Sequence, residues 1–160
     1  MLNLDRLEFD DEAEWDGFTI RRARLGPRVG VERVGASLWE LPPGKAAYPY
    51  HFHLTEDEIL ILLEGALSLR TPDGWRELEE GDVVGFPVGD AGAHQVVNRS
   101  DSTARFLAVS NSGAVDAVVQ VDADKIAVLD RTPGGSGIRE RYRRRDKVGY
   151  FDDVPQPEAG

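Results

Sequence analysis

The sequence predicts an all-β fold, a sandwich or barrel built from short strands. Short β-branched or leucine-rich runs recur every eight to twelve residues along the middle of the chain, separated by clusters of glycine, proline and aspartate. Such spacing is typical of sandwiches and barrels. No internal repeat of the length found in solenoids or propellers is visible, and no helix has to be invoked between 35 and 110. A length of 160 residues favours one domain with an ordinary hydrophobic core.

The first three predicted strands lie between residues 35 and 65. Strand 35–41 ends at Pro42-Pro43-Gly44, and strand 48–54 ends at a turn of Thr55, Glu56 and Asp57. The third strand, 58–65 (EILILLEG), is apolar on both faces. A continuous apolar run of strand length predicts burial on both sides, between the barrel interior and a second sheet or subunit.

A hairpin follows, in which 66–70 and 75–79 flank the turn Thr71-Pro72-Asp73-Gly74. Proline presets φ in such a turn and glycine accepts positive φ. Three further strands are predicted, at 81–87, 94–98 and 104–110. The last segment, 118–130, is predicted to form one strand, two strands or a strand with a turn. We therefore expect a core over 35–110, an N-terminal extension over 1–34 that packs on the barrel, and C-terminal strands and a tail over 111–160.

Composition excludes several classes of partner. A net charge of −10 repels nucleic acid and anionic lipid. No apolar run reaches the roughly 18 residues of a membrane span, and the acidic N-terminus lacks the pattern of a secretory signal, so a cytoplasmic protein is expected. With no cysteine in the chain, any metal must be held by imidazole and carboxylate groups.

Two spaced motifs contain all three histidines of the chain: Gly44-x6-His51-x-His53-x4-Glu58-x6-Gly65, and Gly81-x5-Pro87-x-Gly89-x4-His94-x3-Asn98. This pair resembles the two conserved motifs of the cupin superfamily, as in its small single-domain bacterial and archaeal members. The resemblance covers about residues 35–110, and it implies a double-stranded β-helix, or jelly-roll barrel. The spacings before His51 and His94 are one and two residues longer than the common pattern, and both additions fall in predicted loops.

The resemblance also implies one divalent transition metal, Fe, Mn, Zn or Ni, bound by His51, His53, Glu58 and His94. The spacing is physically consistent with this, because His51 and His53 point to the same face of a strand, about 6.6 Å apart. Glu58 is expected to return on the neighbouring strand, on the same side as Leu60 and Leu62. His94 begins a later strand that could lie across the barrel. An octahedral ion with these ligands keeps two positions for water or substrate.

The other candidate residues receive structural interpretations. Tyr48 and Tyr50 fall on the face opposite the two histidines if strand alternation holds, and Glu56 and Asp57 are expected to be exposed turn acids, the nearest spare carboxylates should the site need a base. The large aromatic residues expected in the core are Trp15, Trp39, Trp75, Phe86 and Phe106. The arginine-rich segment 139–146 is expected to be a solvated strand or an intersubunit ion-pair patch.

The leading functional hypothesis is an enzyme that acts on a small polar molecule, by isomerase-type or oxygenase-type chemistry. No separate acid or base stands out, so the catalytic residues are unknown and neither reaction is favoured. The alternatives are a non-catalytic metal-binding cupin that binds or senses a small ligand, and a storage or structural barrel. A homodimer is expected, because the outward side chains of 58–65 need an apolar surface to cover them.

Overall fold

A computed structural model describes residues 1–132 and 134–155 of the chain, so 156–160 of the predicted tail lie outside the described residues. Thirteen strands are found in the described part, joined by turns and four short 3₁₀ segments. The strands are Asp11–Trp15 (β1), Phe18–Arg24 (β2), Gly35–Leu41 (β3), His51–His53 (β4), Glu58–Glu64 (β5), Leu67–Thr71 (β6), Gly74–Leu78 (β7), Val83–Phe86 (β8), Gln95–Val97 (β9), Ala104–Ser110 (β10), Val115–Gln120 (β11), Lys125–Asp130 (β12) and Arg139–Arg143 (β13). The 3₁₀ segments are Leu4–Arg6, Pro27–Val29, Asp90–Gly92 and Arg144–Asp146. None of the helical segments in the described ranges has the length and apolar character needed to cross a membrane.

The strands pair antiparallel in three sheets. The first has the order β1-β2-β3-β10-β5-β8, the second β13-β12-β11-β4 and the third β7-β6-β9. The predicted all-β jelly-roll fold is confirmed. The predicted hairpin forms as β6 and β7, and Gly74 in its turn has a φ of 111°. Segment 118–130 contributes two strands, β11 and β12.

Strand β4 is shorter than the sequence predicts, because only 51–53 of the expected 48–54 has strand pairing. Pro49 lacks an N–H group and cannot join a ladder. The chain before it instead makes isolated backbone contacts, such as the Ala47 N–H to the Val96 carbonyl at 3.2 Å. The regular alternation of side chains therefore begins only at His51.

The hydrophobic core unites the six-stranded and three-stranded sheets. Trp39 of β3, Phe106 of β10 and Leu62 of β5 lie side by side on the inner face of the larger sheet. The Trp39 and Phe106 rings stack at 5.9 Å between centroids. The expectation of a core position is wrong for Trp15, which ends the edge strand β1, and for Trp75, which lies on the surface under the guanidinium of Arg99.

The outer face of the six-stranded sheet is covered at one end by the N-terminal residues. Arg105 of β10 donates to the Leu4 carbonyl at 2.9 Å and to the Asp5 carboxylate at 3.2 Å. Leu38 of β3 lies on this outer face and is completely buried. The pairing of neighbouring strands continues across the face from Leu38 to Val83 of β8, which is 64% exposed. The N-terminal segment thus covers the β3 end of the face and leaves the β5–β8 end open.

We call this open end the uncovered face: Ile59, Ile61 and Leu63 of β5, with Val83 of β8. Ile59 is 45% exposed, while Ile61 and Leu63 are half-buried. Within the single chain the predicted burial of the outer face by a second sheet is not found for these residues, and burial by a second subunit stays a prediction. Of the residues of β5, only the inner Leu60 and Leu62 are buried.

Candidate metal centre

Four side chains from separate parts of the chain converge inside the barrel. The Nε2 atoms of His51 and His53 are 3.1 Å apart. The Oε2 atom of Glu58 lies 3.3 Å from Nε2 of His53 and 3.3 Å from Nε2 of His94. These are the four residues named from the two sequence motifs, and the fold brings all of them together.

Two sheets and one loop position these residues. His51 and His53 are the ends of β4, which pairs with β11, whereas Glu58 begins β5 in the six-stranded sheet. The expectation that Glu58 lies on the strand neighbouring β4 is therefore wrong, because the turn after His53 carries the chain into another sheet. His94 lies beside His51 and not across the barrel, since the two exchange backbone hydrogen bonds of 3.1 and 2.8 Å.

The outer ring nitrogens of the histidines are all engaged. Nδ1 of His51 lies 2.9 Å from the Pro49 carbonyl, and Nδ1 of His94 lies 2.9 Å from the Gly92 carbonyl. A carbonyl oxygen can only accept, so each Nδ1 carries the proton and each Nε2 of a neutral ring presents a lone pair to the centre. Orientation of ligand imidazoles by their second nitrogen is a general feature of metal sites.

The donor set fits a divalent metal ion. With metal–ligand bonds of about 2.1 Å, neighbouring ligands of an octahedral or tetrahedral ion lie about 3.0–3.4 Å apart, which matches the contacts of 3.1 and 3.3 Å between the donor atoms. Lone pairs that point at one another across such distances need a proton or a cation between them. Imidazole nitrogen with one carboxylate oxygen suits Fe, Mn, Ni and Zn.

The pKa values show how the centre distributes charge. Burial, then the neighbouring His94 and His53, lowers the pKa of His51 to about 3, which keeps that ring neutral. Burial opposes the charged form of His53, but its contacts with Asp116 and Glu58 outweigh this and raise its pKa to about 10. Burial likewise opposes ionisation of Glu58, yet the contacts with His53 and His94 hold its pKa below the usual range. The carboxylate is therefore ionised and attracts a cation.

A second group of buried charges adjoins His53 and was not found from the sequence. Asp116 of β11 is completely buried, and its Oδ2 atom lies 2.6 Å from Nδ1 of His53. Glu56 is only 4% exposed and pairs with the guanidinium of Arg131, so the expectation of an exposed turn acid is wrong for Glu56. His53, Glu56 and Asp116 are close enough to hold a cation, but Arg131 already supplies the positive charge there.

Tyr48 is a further residue whose position the sequence did not predict. Its ring lies 4.8 Å from that of His51 and 5.4 Å from that of His94, between centroids. The expectation that both tyrosines lie on the face opposite the histidines is wrong for Tyr48, because Pro49 interrupts the alternation. It is right for Tyr50, whose ring packs against Arg70. Burial, with a smaller effect of Glu58, raises the pKa of Tyr48 well above its ordinary value, so the phenol stays protonated.

The inner wall beside Glu58 carries small side chains. Ser110 of β10 lies directly opposite Glu58, and Gly35 of β3 lies opposite Ser110. A Cβ atom at Gly35 would be 2.5 Å from Oγ of Ser110, which confirms that both residues face the same interior. Ala108 and Ser37 form the next row. The Glu58 side chain is 20% exposed, so it is not sealed from solvent.

Comparisons with known proteins agree with the fold and motifs. The family described as Cupin domain matches residues 37–110. A sugar phosphate isomerase of a cupin superfamily from Silicibacter pomeroyi is 29% identical, with a TM-score of 0.78, over 91% of this chain and 94% of that one. A Cupin 2 conserved barrel domain protein from Salinispora arenicola is 32% identical, with a TM-score of 0.52, over 59% of this chain and 77% of that one.

A third structure supports the fold alone. It is named a putative sugar phosphate isomerase from Acidithiobacillus ferrooxidans and is 24% identical, with a TM-score of 0.81, over 93% of this chain and 95% of that one. A search of curated proteins found no match.

Proposed function

The chain belongs to the cupin superfamily, and we propose that it is a metal-dependent isomerase of a small polar carbonyl compound of the sugar phosphate class. The observation that carries the proposal is the close approach of the donor atoms of His51, His53 and Glu58, with Nε2 of His94 3.3 Å from Oε2 of Glu58 and every Nδ1 atom already engaged. These four residues are the proposed ligands of one divalent ion.

The choice of isomerase chemistry has two supports. The similar protein from Silicibacter pomeroyi is named a sugar phosphate isomerase, and the similarity extends over nearly the whole of both chains, including the strands outside the family match. In addition, Tyr48 places a protonated phenol beside the proposed ligands. No comparable observation favours the oxygenase-type reaction.

A divalent ion held at this site supplies a Lewis acid that polarises a carbonyl group. Isomerisation also needs a base that moves a proton from the carbon beside the carbonyl to the carbonyl carbon. A second proton passes from the hydroxyl oxygen on the first of these carbons to the carbonyl oxygen. Glu58 is excluded as that base, because it is one of the proposed ligands and its contacts with His53 and His94 hold its pKa below the usual range. Tyr48 is the candidate donor to the substrate oxygen that becomes negative.

The local charge favours an anionic substrate although the whole protein is acidic. A divalent ion with one carboxylate ligand leaves a net charge of about +1 in the centre. The hydroxyl of Ser110, opposite Glu58, offers a hydrogen-bonding partner for a sugar hydroxyl.

We also propose a homodimer in which a second copy of the chain packs on the uncovered face. On the outer face of the six-stranded sheet, Leu38 is buried but Val83 is exposed. The outer residues of β5 therefore lack the burial that their apolar character favours. Burial of a side chain such as isoleucine contributes about 1.5–3 kcal/mol.

Deuterium exchange tests the isomerase directly. The protein is loaded in turn with Fe(II), Mn(II), Ni(II) or Zn(II) and incubated in D₂O with a panel of aldose and ketose phosphates, and ¹H NMR follows loss of the C–H signal beside the carbonyl. We expect metal-dependent exchange and conversion, absent from a His51→Ala/His94→Ala variant that no longer holds a stoichiometric ion. Ligand binding without exchange would replace the proposal with the non-catalytic alternative.

A further inference from the structure

We propose that Asp116, which lies 4.0 Å from the guanidinium of Arg131, is a positioning residue of the metal centre, so that the C-terminal strands outside the two motifs complete the site. The inference rests on the proposed metal site. Asp116 is 63 residues from His53 along the chain, and it lies outside the stretch that matches the family.

The placement of Asp116 follows from strand pairing. Val118 of β11 lies directly opposite His53 of β4, so Asp116, two residues along, projects from the same face. Its Oδ2 atom accepts the Nδ1–H of His53 at 2.6 Å, and its Oδ1 atom accepts the Thr55 hydroxyl at 2.9 Å. Both oxygens of the carboxylate are thereby held in fixed directions.

Asp116 is a buried carboxylate with hydrogen-bonding partners on both oxygens. A buried carboxylate without such partners is strongly disfavoured. The guanidinium of Arg131 lies between two buried acids, paired with Glu56 and 4.0 Å from Asp116.

A carboxylate acceptor on Nδ1 has two consequences for His53. It directs Nε2 toward Glu58 and His51, and it makes that nitrogen a stronger donor to a cation. The Nδ1 atoms of His51 and His94 instead lie beside neutral backbone carbonyls. His53 is therefore the ligand whose strength the C-terminal strands set, and loss of such a partner typically lowers metal affinity 10- to 100-fold.

Co(II) titration of the full chain tests this role, with Asp116→Ala, Asp116→Asn and the matched control Asp122→Asn. Asp122 follows β11 on the exposed side and pairs with Arg70. We expect Co(II) affinity to fall about 10- to 100-fold in Asp116→Ala, less in Asp116→Asn, which keeps an acceptor oxygen, and not at all in Asp122→Asn. The d–d absorption of bound Co(II) should shift in the Asp116 variants only.

Thermal unfolding of the metal-free proteins identifies a purely structural effect. If Asp116→Ala does not fold, the isosteric Asp116→Asn carries the test. Wild-type affinity and an unchanged Co(II) spectrum in the Asp116 variants would overturn this inference while leaving the proposed metal site intact. A wild-type chain that binds no stoichiometric Co(II) would overturn both.

Discussion

At the scale of single residues, the centre combines fixed imidazoles with a phenol that has no hydrogen-bonding partner within the described residues. Ring packing holds Tyr48 against His51, His94 and Trp39. Backbone carbonyls fix His51 and His94, and a carboxylate fixes His53. This division of roles leaves the Tyr48 hydroxyl available to a substrate.

Replacement of Tyr48 by phenylalanine should separate catalysis from stability. The substitution keeps the aromatic packing and removes only the hydroxyl, so kcat should fall on the order of 10²-fold, while the thermal midpoint stays unchanged. Steady-state kinetics and differential scanning calorimetry measure the two effects. Tyr50→Phe, on the opposite face, is the matched control, and equal kcat values for both variants would remove Tyr48 from the reaction.

Metal affinity should decrease as the pH falls. A histidine must be free of a proton at the ligating nitrogen, and the raised pKa of His53 means that this ring holds its second proton at neutral pH. A proton on His53 therefore competes with the metal, and this competition strengthens as the pH falls further below the pKa of about 10. Zn(II) titrations at pH 5.5 and 8 would show this, and equal affinities would argue against imidazole ligands.

At the scale of elements, β10 connects the core to the centre. It pairs with β3 on one side and β5 on the other, and its inner residues change from Phe106 in the core to Ser110 opposite Glu58. Large side chains at one end of the strand provide stability, and small ones at the other end leave room for a ligand. The outer face of the same strand anchors the N-terminal segment through Arg105.

Truncation of Phe106 should therefore be among the most destabilising changes in this sheet. Phe106 is fully buried and stacks on Trp39, so Phe106→Ala should lower the free energy of unfolding by about 3–5 kcal/mol. Urea unfolding followed by tryptophan fluorescence measures the change. Phe151→Ala, at an exposed position, should have almost no effect, and similar losses in the two variants would contradict the assigned core.

At the scale of the whole molecule, cover of the six-stranded sheet is incomplete. The N-terminal residues contact the outer face at Arg105, and Leu38 on this face is buried whereas Val83 is exposed. The single chain leaves Ile59 and Val83 exposed at the β5–β8 end, and a second copy of the chain is the proposed cover there.

Sedimentation equilibrium at micromolar concentration should give twice the 17.7 kDa mass of one chain. Ile61→Asp places a charge at the centre of the uncovered face and should convert the protein to a monomer that still folds. Val29→Asp, at an exposed apolar position elsewhere, should leave the mass unchanged. A wild-type mass near that of one chain would contradict the dimer.

The sequence by itself determined the all-β fold and the identity of the proposed ligands, because both depend on local information. Strand 35–41 is bounded by turn residues and 104–110 by an asparagine–serine loop, and each forms as predicted. The histidines and Glu58 stand at short, recognisable spacings within two motifs. Alternation along a strand was enough to place His51 and His53 on one face.

Only the tertiary structure decided which other groups join the centre. Asp116 reaches His53 through the pairing of β11 with β4, and Arg131 reaches Glu56 across 75 residues of chain. Tyr48 turns inward because Pro49 ends the alternation that the sequence pattern assumes. These contacts depend on which strands become neighbours, and strand pairing over long separations is set by the packing of the whole barrel, which no local pattern in the sequence records.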